Sequence, residues 1–506
     1  MSFEYPTSIE SIPGKIEALR THFNTGLTKD ITFRKQQLNN LIRFCEENKP
    51  ILFQALWNDL HKHELESDIG EISIVIEECK FMINNLDKFI KPTYTKKRFL
   101  MNVTDKTFIR KEPKGVVLVI GSWNYPINLL LTPVVGAIAA GNCVVIKPSE
   151  VSTSTSNVIA TILPKYLDPR AYSIITGGVP ETTAVLENRF DHIFYTGNGH
   201  VGKIVMTAAA TYLTPVTLEL GGKSPALITE DADVNITAHR LLWGKYFNNG
   251  QTCVAPDYVL CERTQIAPLL IAMRKAILEF YGENPQTSNS YGRIINTRQF
   301  DRLKGLLDSC HPNTIVIGGE TDRDNLYIAP TVVTPVDPYK HSLMQQEIFG
   351  PILPIVPVEN MDEAIAIINS RDHPLALYIF ASSKYDYNKI LNRTSSGGVL
   401  INDTLMHLQE LSLPFGGIGP SGTGCYHGEK SFDTFTHLRS TMVKDLKIEP
   451  VASVKYPPYN YDKAQLINLL VYGFPPHVND KLNTLVRACK SFWNVFFKRS
   501  TDEHVL

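Results

Sequence analysis

The chain has 506 residues, 43% of them apolar and 20% charged, with a formal net charge of −1 and a pI near 6.9. That balance excludes a disordered segment and a chain drawn to nucleic acid by a global basic field, and the length implies about three domains. The eight cysteines (45, 79, 143, 253, 261, 310, 425 and 489) lie scattered, with no C-x-x-C pair, which reads as a reduced, intracellular, cytoplasmic protein without a disulfide framework or a metal site.

The first thirty residues lack the basic start and apolar run of a secretory leader. Residues 15–90 carry helical spacing: Leu38, Leu41, Ile42 and Cys45 fall on one face, as do Ile72, Val75, Ile76 and Cys79. His61, His63 and Glu64 sit in a charged segment that reads as exposed rather than as a metal site. From 115 the texture becomes α/β. Val116–Ile120, 143–146, 172–175 and 192–195 are short β-branched or apolar runs, each stopped by Gly or Pro, and predict buried strands of a parallel sheet with crossover connections. The apolar tract Leu129–Ile146 is interrupted by Pro133, Gly136, Gly141 and Asn142. A membrane span requires ~20 nearly unbroken apolar residues, so the tract predicts a buried helix followed by a buried strand. The pattern recurs after 225, near 226–228, 259–260 and 352–356, and predicts a second α/β domain. After about 440 a distinct tail begins.

The segments with chemistry follow the same order. Asn124, in Gly121-Ser122-Trp123-Asn124-Tyr125-Pro126 after the first strand, can donate to a developing oxyanion or cap the next helix. Lys147 and Glu150, in Lys147-Pro148-Ser149-Glu150, can hold a ribose or remain a solvated strand end. Thr196-Gly197-Asn198-Gly199-His200-Val201-Gly202 matches the dinucleotide fingerprint G-x-G-x-x-G. The Rossmann rule seeks a ribose-binding acid ~20 residues on and reaches Glu219, in Leu218-Glu219-Leu220-Gly221-Gly222-Lys223-Ser224-Pro225. The same carboxylate could activate water instead. Thirty-four residues later stands Cys253, in Asn249-Gly250-Gln251-Thr252-Cys253-Val254-Ala255-Pro256-Asp257, a thiol at a polar bend between apolar segments. Glu347 and Phe349, in Glu347-Ile348-Phe349-Gly350-Pro351, offer a carboxylate and an aromatic face. Pro414-Phe415-Gly416-Gly417 opens a glycine-rich loop that reads as a constrained wall beside a pocket.

These motifs, in this order over roughly residues 15 to 440, resemble the aldehyde dehydrogenases. Trp123-Asn124-Tyr125-Pro126, the run 251–258 and the run 426–432 are similar to the class 3 or fatty aldehyde branch. The resemblance implies an α/β fold with two Rossmann-like parallel-sheet domains, a small β bridging and oligomerisation element, and a helical C-terminal tail. It implies a cofactor domain over 1–90 and 113–218, a catalytic domain over 219–400, a bridging element over 91–112 and 401–440, and a tail over 441–506. It assigns Cys253 as nucleophile, Glu219 as general base, and Asn124 with the Cys253 N–H as the oxyanion site. It places Lys147, Glu150, Thr196, Gly197, Gly202, Leu220, Glu347 and Phe349 at an NAD or NADP cofactor. Its usual pattern departs at Asn198-Gly199-His200. The thiol is expected to ionise with help from a helix N-terminus or the cofactor's positive ring.

The implied reaction oxidises an aliphatic aldehyde, of medium to long chain, to the carboxylic acid by a homodimer. The other readings are a non-catalytic membrane-associated protein retaining the fold, and a cofactor-free thioesterase. In the tail, Leu482, Leu485, Val486, Cys489, Phe492, Trp493 and Phe496 form a stripe flanked by Lys481, Arg487, Lys490, Lys498 and Arg499. That stripe predicts a helix over 479–499, lying peripherally on the cytosolic face of an internal membrane or lipid droplet, or packing on protein.

Overall fold

A computed structural model of the protein describes residues 6–473 and 478–497. The chain forms two units. One comprises the residues up to Phe89 together with Pro113–Thr436, and the other comprises Ile90–Glu112 and the residues from His437 onward.

The first unit contains two large sheets. In the six-stranded one the spatial order is Gly422–Thr423, Val216–Glu219, His192–Thr196, Val116–Ile120, Cys143–Lys147 and Tyr172–Ile174. All neighbours are parallel except the Gly422–Thr423 edge. Every residue of Val116–Ile120 and Cys143–Lys147 is buried, as β-branched runs covered on both faces must be. The chain steps outward from the central strand Val116–Ile120 and then returns on its other side with His192–Thr196. The reversal falls between two strands whose carboxyl ends lead into Gly121–Asn124 and Gly197, where an open α/β sheet receives its ligand.

The seven-stranded sheet runs Ile315–Ile317, Thr331–Val333, Ile352–Val358, Tyr258–Glu262, Pro225–Ile228, Ala376–Phe380 and Gly398–Ile401. Only its first strand is antiparallel. One core of Leu, Ile and Val from these strands and from helices Thr297–Asp308 and Met361–Asn369 fills one of its faces.

The apolar tract splits as its breakers dictate. Helix Asn128–Ala140 is buried at every position after Asn128 and ends at Gly141, whose φ of 90° suits a left-handed cap, and Cys143–Lys147 follows. Helices Ile12–Asn24, Ile31–Glu47, Lys49–Leu60 and Ser73–Phe89 occupy the helical N-terminal region.

The second unit holds a sheet of Thr93–Tyr94, Lys106–Pro113 and Thr436–Val443, and the helices Tyr461–Tyr472 and Val478–Phe496. Val454, Leu466 and Ala488 form a small core between the helices. Ser491 Oγ and Asn494 Nδ2 donate to the Asp462 carboxylate at 2.9 and 3.1 Å. The tail stripe therefore does not pack as a unit. Leu482, Leu485, Val486, Cys489, Phe492 and Trp493 are exposed and Phe496 is half-buried, because the small side chains of Ala488 and Ser491 offer the closer approach to the neighbouring helix. Lys498 and Arg499 lie outside the described residues. Among the described residues, no helix is long and apolar enough to cross a membrane.

Candidate active site

Glu219 is the last residue of its strand, and six residues later Pro225 opens a strand of the second sheet. The carboxyl end of one sheet thus feeds the amino end of the other, and the predicted residues gather there. Glu219 is 2% exposed, and neither carboxylate oxygen has a partner. Burial pushes its carboxyl well above the ordinary range.

Cys253 lies in the turn between helix Val234–Tyr246 and strand Tyr258–Glu262. Asn248 and Asn249 adopt φ of 50° and 56°, and Gly250 adopts 74°. This sharp reversal presents a half-buried thiol. No helix begins at Cys253, so the helix N-terminus expected to favour the thiolate is not there. Burial, and then the carboxylates of Glu347 and Glu219, push the thiol up instead. All eight cysteines are free thiols.

A β-carbon on Gly250 would lie 2.3 Å from the Gly350 carbonyl oxygen. With its positive φ, Gly250→Ala should therefore lower unfolding free energy by about 1–3 kcal/mol and reduce activity through displacement of the turn. Urea denaturation checks this, and wild-type stability in that variant would contradict the geometry of the turn.

Asn124 does not cap the next helix. Its Nδ2 donates to the Gln251 carbonyl (3.0 Å), which ties the loop after the first strand to the cysteine turn. Its own carbonyl accepts from Asn248 Nδ2 at 2.8 Å. Tyr125 Oη and Thr252 Oγ1 meet at 2.7 Å, and Tyr378 Oη donates to the Val254 carbonyl at 2.6 Å. The two sides of Cys253 are thus held independently.

An apolar cavity closes on Thr252 and Cys253. Its walls include Ile69, Ile74, Leu129, Trp243, Phe247, Leu405, Met406, Phe415 and Tyr426, with His427 and Gln409 among the few polar members. Phe415, from the glycine-rich loop, does stand beside a pocket. Burial lowers His427 to about 3, so its imidazole is neutral near pH 7.

Lys147, Glu150, Thr196, Gly197, Gly202 and Leu220 lie at or after the carboxyl ends of strands of the first sheet, and Glu347 and Phe349 lie in the segment before strand Ile352–Val358 of the second. Lys147 ends its strand at 1% exposure, with Nζ 3.0 Å from the Pro148 carbonyl and 3.6 Å from Glu150. It is not a solvated strand end, and burial lowers it. Thr196 ends its strand, on the other side of the central Val116–Ile120, with a buried Oγ1 that has no partner. Gly197 and Asn198 then lead into helix Gly199–Ala210, where Asn198 caps the Val201 N–H at 3.0 Å. Gly202 lets that helix lie on Leu220, since a β-carbon there would fall 2.9 Å from Leu220 Cδ2.

Glu347 packs against Gly221, keeps Oε1 without a partner, and is pushed up to about 8 by burial and by Asp257. Phe349, at a φ of 52°, meets Trp123 edge-on at 5.3 Å. Unpartnered buried hydroxyl and carboxylate oxygens, a buried lysine at a strand end, and a helix N-terminus just after Thr196 fit a dinucleotide's ribose hydroxyls and phosphates.

Sequence reading missed Lys62, Glu66 and Glu71. The segment around His61 to Glu66 was expected to be exposed, yet Lys62 is 1% exposed and pairs with Glu71 at 2.6 Å. The one available signal was a carboxylate inside the apolar run 69–76.

Two mainly parallel sheets, a thiol in the wall of an apolar cavity, and two buried carboxylates with unpartnered oxygens define the class as an α/β enzyme of the dinucleotide-binding type. The aldehyde dehydrogenase family matches residues 12–441. The chain is 50% identical over 451 residues to aldehyde dehydrogenase family 3 member B1 of Rattus norvegicus, covering 89% of this chain and 95% of the relative. It is 49% identical over 449 residues to family 3 member A2 of Macaca fascicularis, covering 89% and 92%. The structure of Staphylococcus aureus AldH in a substrate-bound state superposes with a TM-score of 0.87 at 42% identity, covering 90% and 98%. The chain belongs to the aldehyde dehydrogenase family. It is an NAD- or NADP-dependent enzyme that oxidises aldehydes.

Proposed function

We propose that this enzyme oxidises medium- to long-chain aliphatic aldehydes to carboxylic acids by covalent catalysis at Cys253. The observation that carries the reading is the apolar cavity that has Thr252 and Cys253 in its wall. Its wall binds an alkyl chain through buried apolar area, about 0.8 kcal/mol per methylene.

The Cys253 sulfur attacks the aldehyde carbon, and the second Asn124 N–H with the Cys253 backbone N–H stabilises the oxyanion. A nicotinamide dinucleotide, when held by the residues named below, would supply the hydride acceptor that this oxidation requires. The resulting thioester is hydrolysed by a water whose proton passes to Glu219, and acid leaves with the thiol restored. A water-activating carboxylate favours hydrolysis over acylation of a thiol such as coenzyme A.

Lys147 and Glu347 hold the ribose units, with Phe349 beside the nicotinamide end. Thr196, Gly197, Gly202 and Leu220 line the diphosphate. Glu150 favours NAD, because a 2'-phosphate would meet its charge. The cofactor domain is assigned to 1–90 and 113–218, the catalytic domain to 219–400, and the bridging element to 91–112 and 401–440. A homodimer, in the cytoplasm, follows from the same family reading.

The tail 441–506 is assigned a peripheral membrane role through 479–499. The exposed Leu482, Val486, Phe492 and Trp493 beside Lys481, Arg487 and Lys490 suit an interface of lipid and water. In sedimentation with anionic liposomes, the full chain should pellet and a chain ending at about 478 should stay in the supernatant. Equal pelleting of both would remove the tail from membrane contact. NADH formation with hexanal and hexadecanal tests the substrate reading. Turnover of hexanal alone would confine the enzyme to short chains.

A further inference from the structure

Three segments distant in sequence meet at the carbonyl of Asn124. Lys62 Nζ donates to it at 3.1 Å and lies 4.2 Å from the Tyr125 ring centre. Asn248 Nδ2 donates to it from the other side at 2.8 Å. The same ammonium pairs with Glu71 Oε1 at 2.6 Å, both side chains being fully buried. Glu71 Oε2 accepts the N–H groups of Ile127 and Asn128, each at 3.0 Å. One carboxylate therefore caps the helix that follows the Asn124 loop. Glu66 accepts the backbone N–H of Asn248 and so holds the cysteine turn. Glu71 reaches this position from a π-helical stretch, Asp68–Ile72, a local widening that occurs frequently at functional sites.

We propose that Lys62, Glu66 and Glu71 form a charged brace that positions the Asn124 amide and the Cys253 turn for reaction. This role rests on the reading of Asn124 as the oxyanion donor. A buried ion pair is a poor device for stability alone, because desolvation offsets most of its attraction and apolar residues of similar volume would hold the fold as well. What an apolar filling could not supply is direction. Apart from the Lys62–Glu71 pair itself, the hydrogen bonds of this brace end on the Asn124 loop, on the helix start that follows it, or on the turn that carries Cys253. Lys62 and Glu71 are thus positioning residues that act through the Asn124 loop, Glu66 is one that acts through the Cys253 turn, and none of them touches substrate.

The test is a double-mutant cycle on the full-length enzyme, with Glu71→Gln and Glu66→Gln each made alone and in Asn124→Ala. The paired change Lys62→Met/Glu71→Gln strands no charge and serves where a single change fails to fold. In the wild-type background kcat should fall about 10- to 100-fold, as a misplaced donor costs. KM should stay within about threefold, and the thermal midpoint of the paired variant should stay near that of the wild type. In the Asn124→Ala background Glu71→Gln and the paired change should lower kcat less than about threefold, because the group they position is gone, whereas Glu66→Gln, which acts on the Cys253 turn, should cost about as much there as in the wild type. Equal losses from Glu71→Gln in both backgrounds, or no loss from these changes in the first, would overturn the brace and leave the oxyanion reading standing. Wild-type kcat in Asn124→Ala alone would overturn the oxyanion reading and the brace with it.

Discussion

Cys253→Ser should lower aldehyde turnover by about 10⁴-fold or more, the usual consequence of removing a nucleophile. The substitution keeps the volume of the side chain and the N–H of residue 253, so the turn from Asn248 to Ala255 should persist. Its anchors, Asn124 on Gln251 and Tyr125 on Thr252, do not involve the sulfur. What disappears is a polarizable group able to ionise. In this pocket the thiol already stands above its ordinary range, through burial and the carboxylates of Glu347 and Glu219. A hydroxyl, far less acidic, would remain neutral there. The measurement is NADH absorbance under saturating aldehyde, with mass spectrometry of the quenched enzyme for an acyl adduct on residue 253. Retention of even a tenth of the turnover by the serine variant would remove Cys253 from the chemistry. The adduct, if formed on wild type and absent from the variant, also separates this enzyme from a non-catalytic relative of the fold.

Glu219→Gln should divide the reaction in two. The first turnover needs the thiol and the hydride acceptor, so a burst of about one NADH per active site should survive. The steady state should fall by roughly 10²–10⁴-fold, the contribution of a general base. The pH profile carries the sign. A base must be ionised to act, and burial holds the Glu219 carboxyl well above the usual range near 4. The rate of thioester hydrolysis in the wild type should therefore rise with pH and level off only above the raised value. Glu347, pushed up to about 8, is a second buried carboxyl whose ionisation can shape the profile. The assignment hence depends on that rising limb vanishing in Glu219→Gln. Unchanged steady-state turnover, or a limb that persists, would give the base role to another group. Ester hydrolysis in the absence of any nicotinamide, at a rate above oxidation, would instead support thioesterase chemistry on the same residues.

Local pattern was sufficient for a large part of the fold. Runs such as Val116–Ile120 are buried on both faces, so composition alone marks them as parallel strands, and Gly or Pro marks their ends. Leu129–Ile146 separated into helix and strand because Gly141 supplies a left-handed cap and Asn142 follows it. The same locality placed Cys253 at a bend and Glu219 at a strand end, because each stands beside glycine in a short motif. The family match then bore out the aldehyde dehydrogenase resemblance.

Electrostatics and cavity shape were not legible, since they depend on residues that only folding brings together. Asn124 meets Gln251 across 127 positions, and Lys62 meets Asn124 across 62. The charged run at 61–66 reads as solvated because charge normally is, yet Lys62 is buried where Glu71 offers it a partner. A helix N-terminus was one of the two aids expected for the Cys253 thiolate, the cofactor's positive ring being the other, but the chain goes on into a strand, and the thiol is pushed up by burial. In the tail, periodicity marked a seven-residue stripe. Packing chose the neighbouring face, where Ala488 and Ser491 allow close approach to the helix beside them. The sequence by itself determined the family and the strands, and it marked the candidate reactive side chains, because those are properties of short segments. Only the tertiary structure decided which charges are buried, which amide faces the cysteine turn and which surface stays open, because burial and direction exist only between segments.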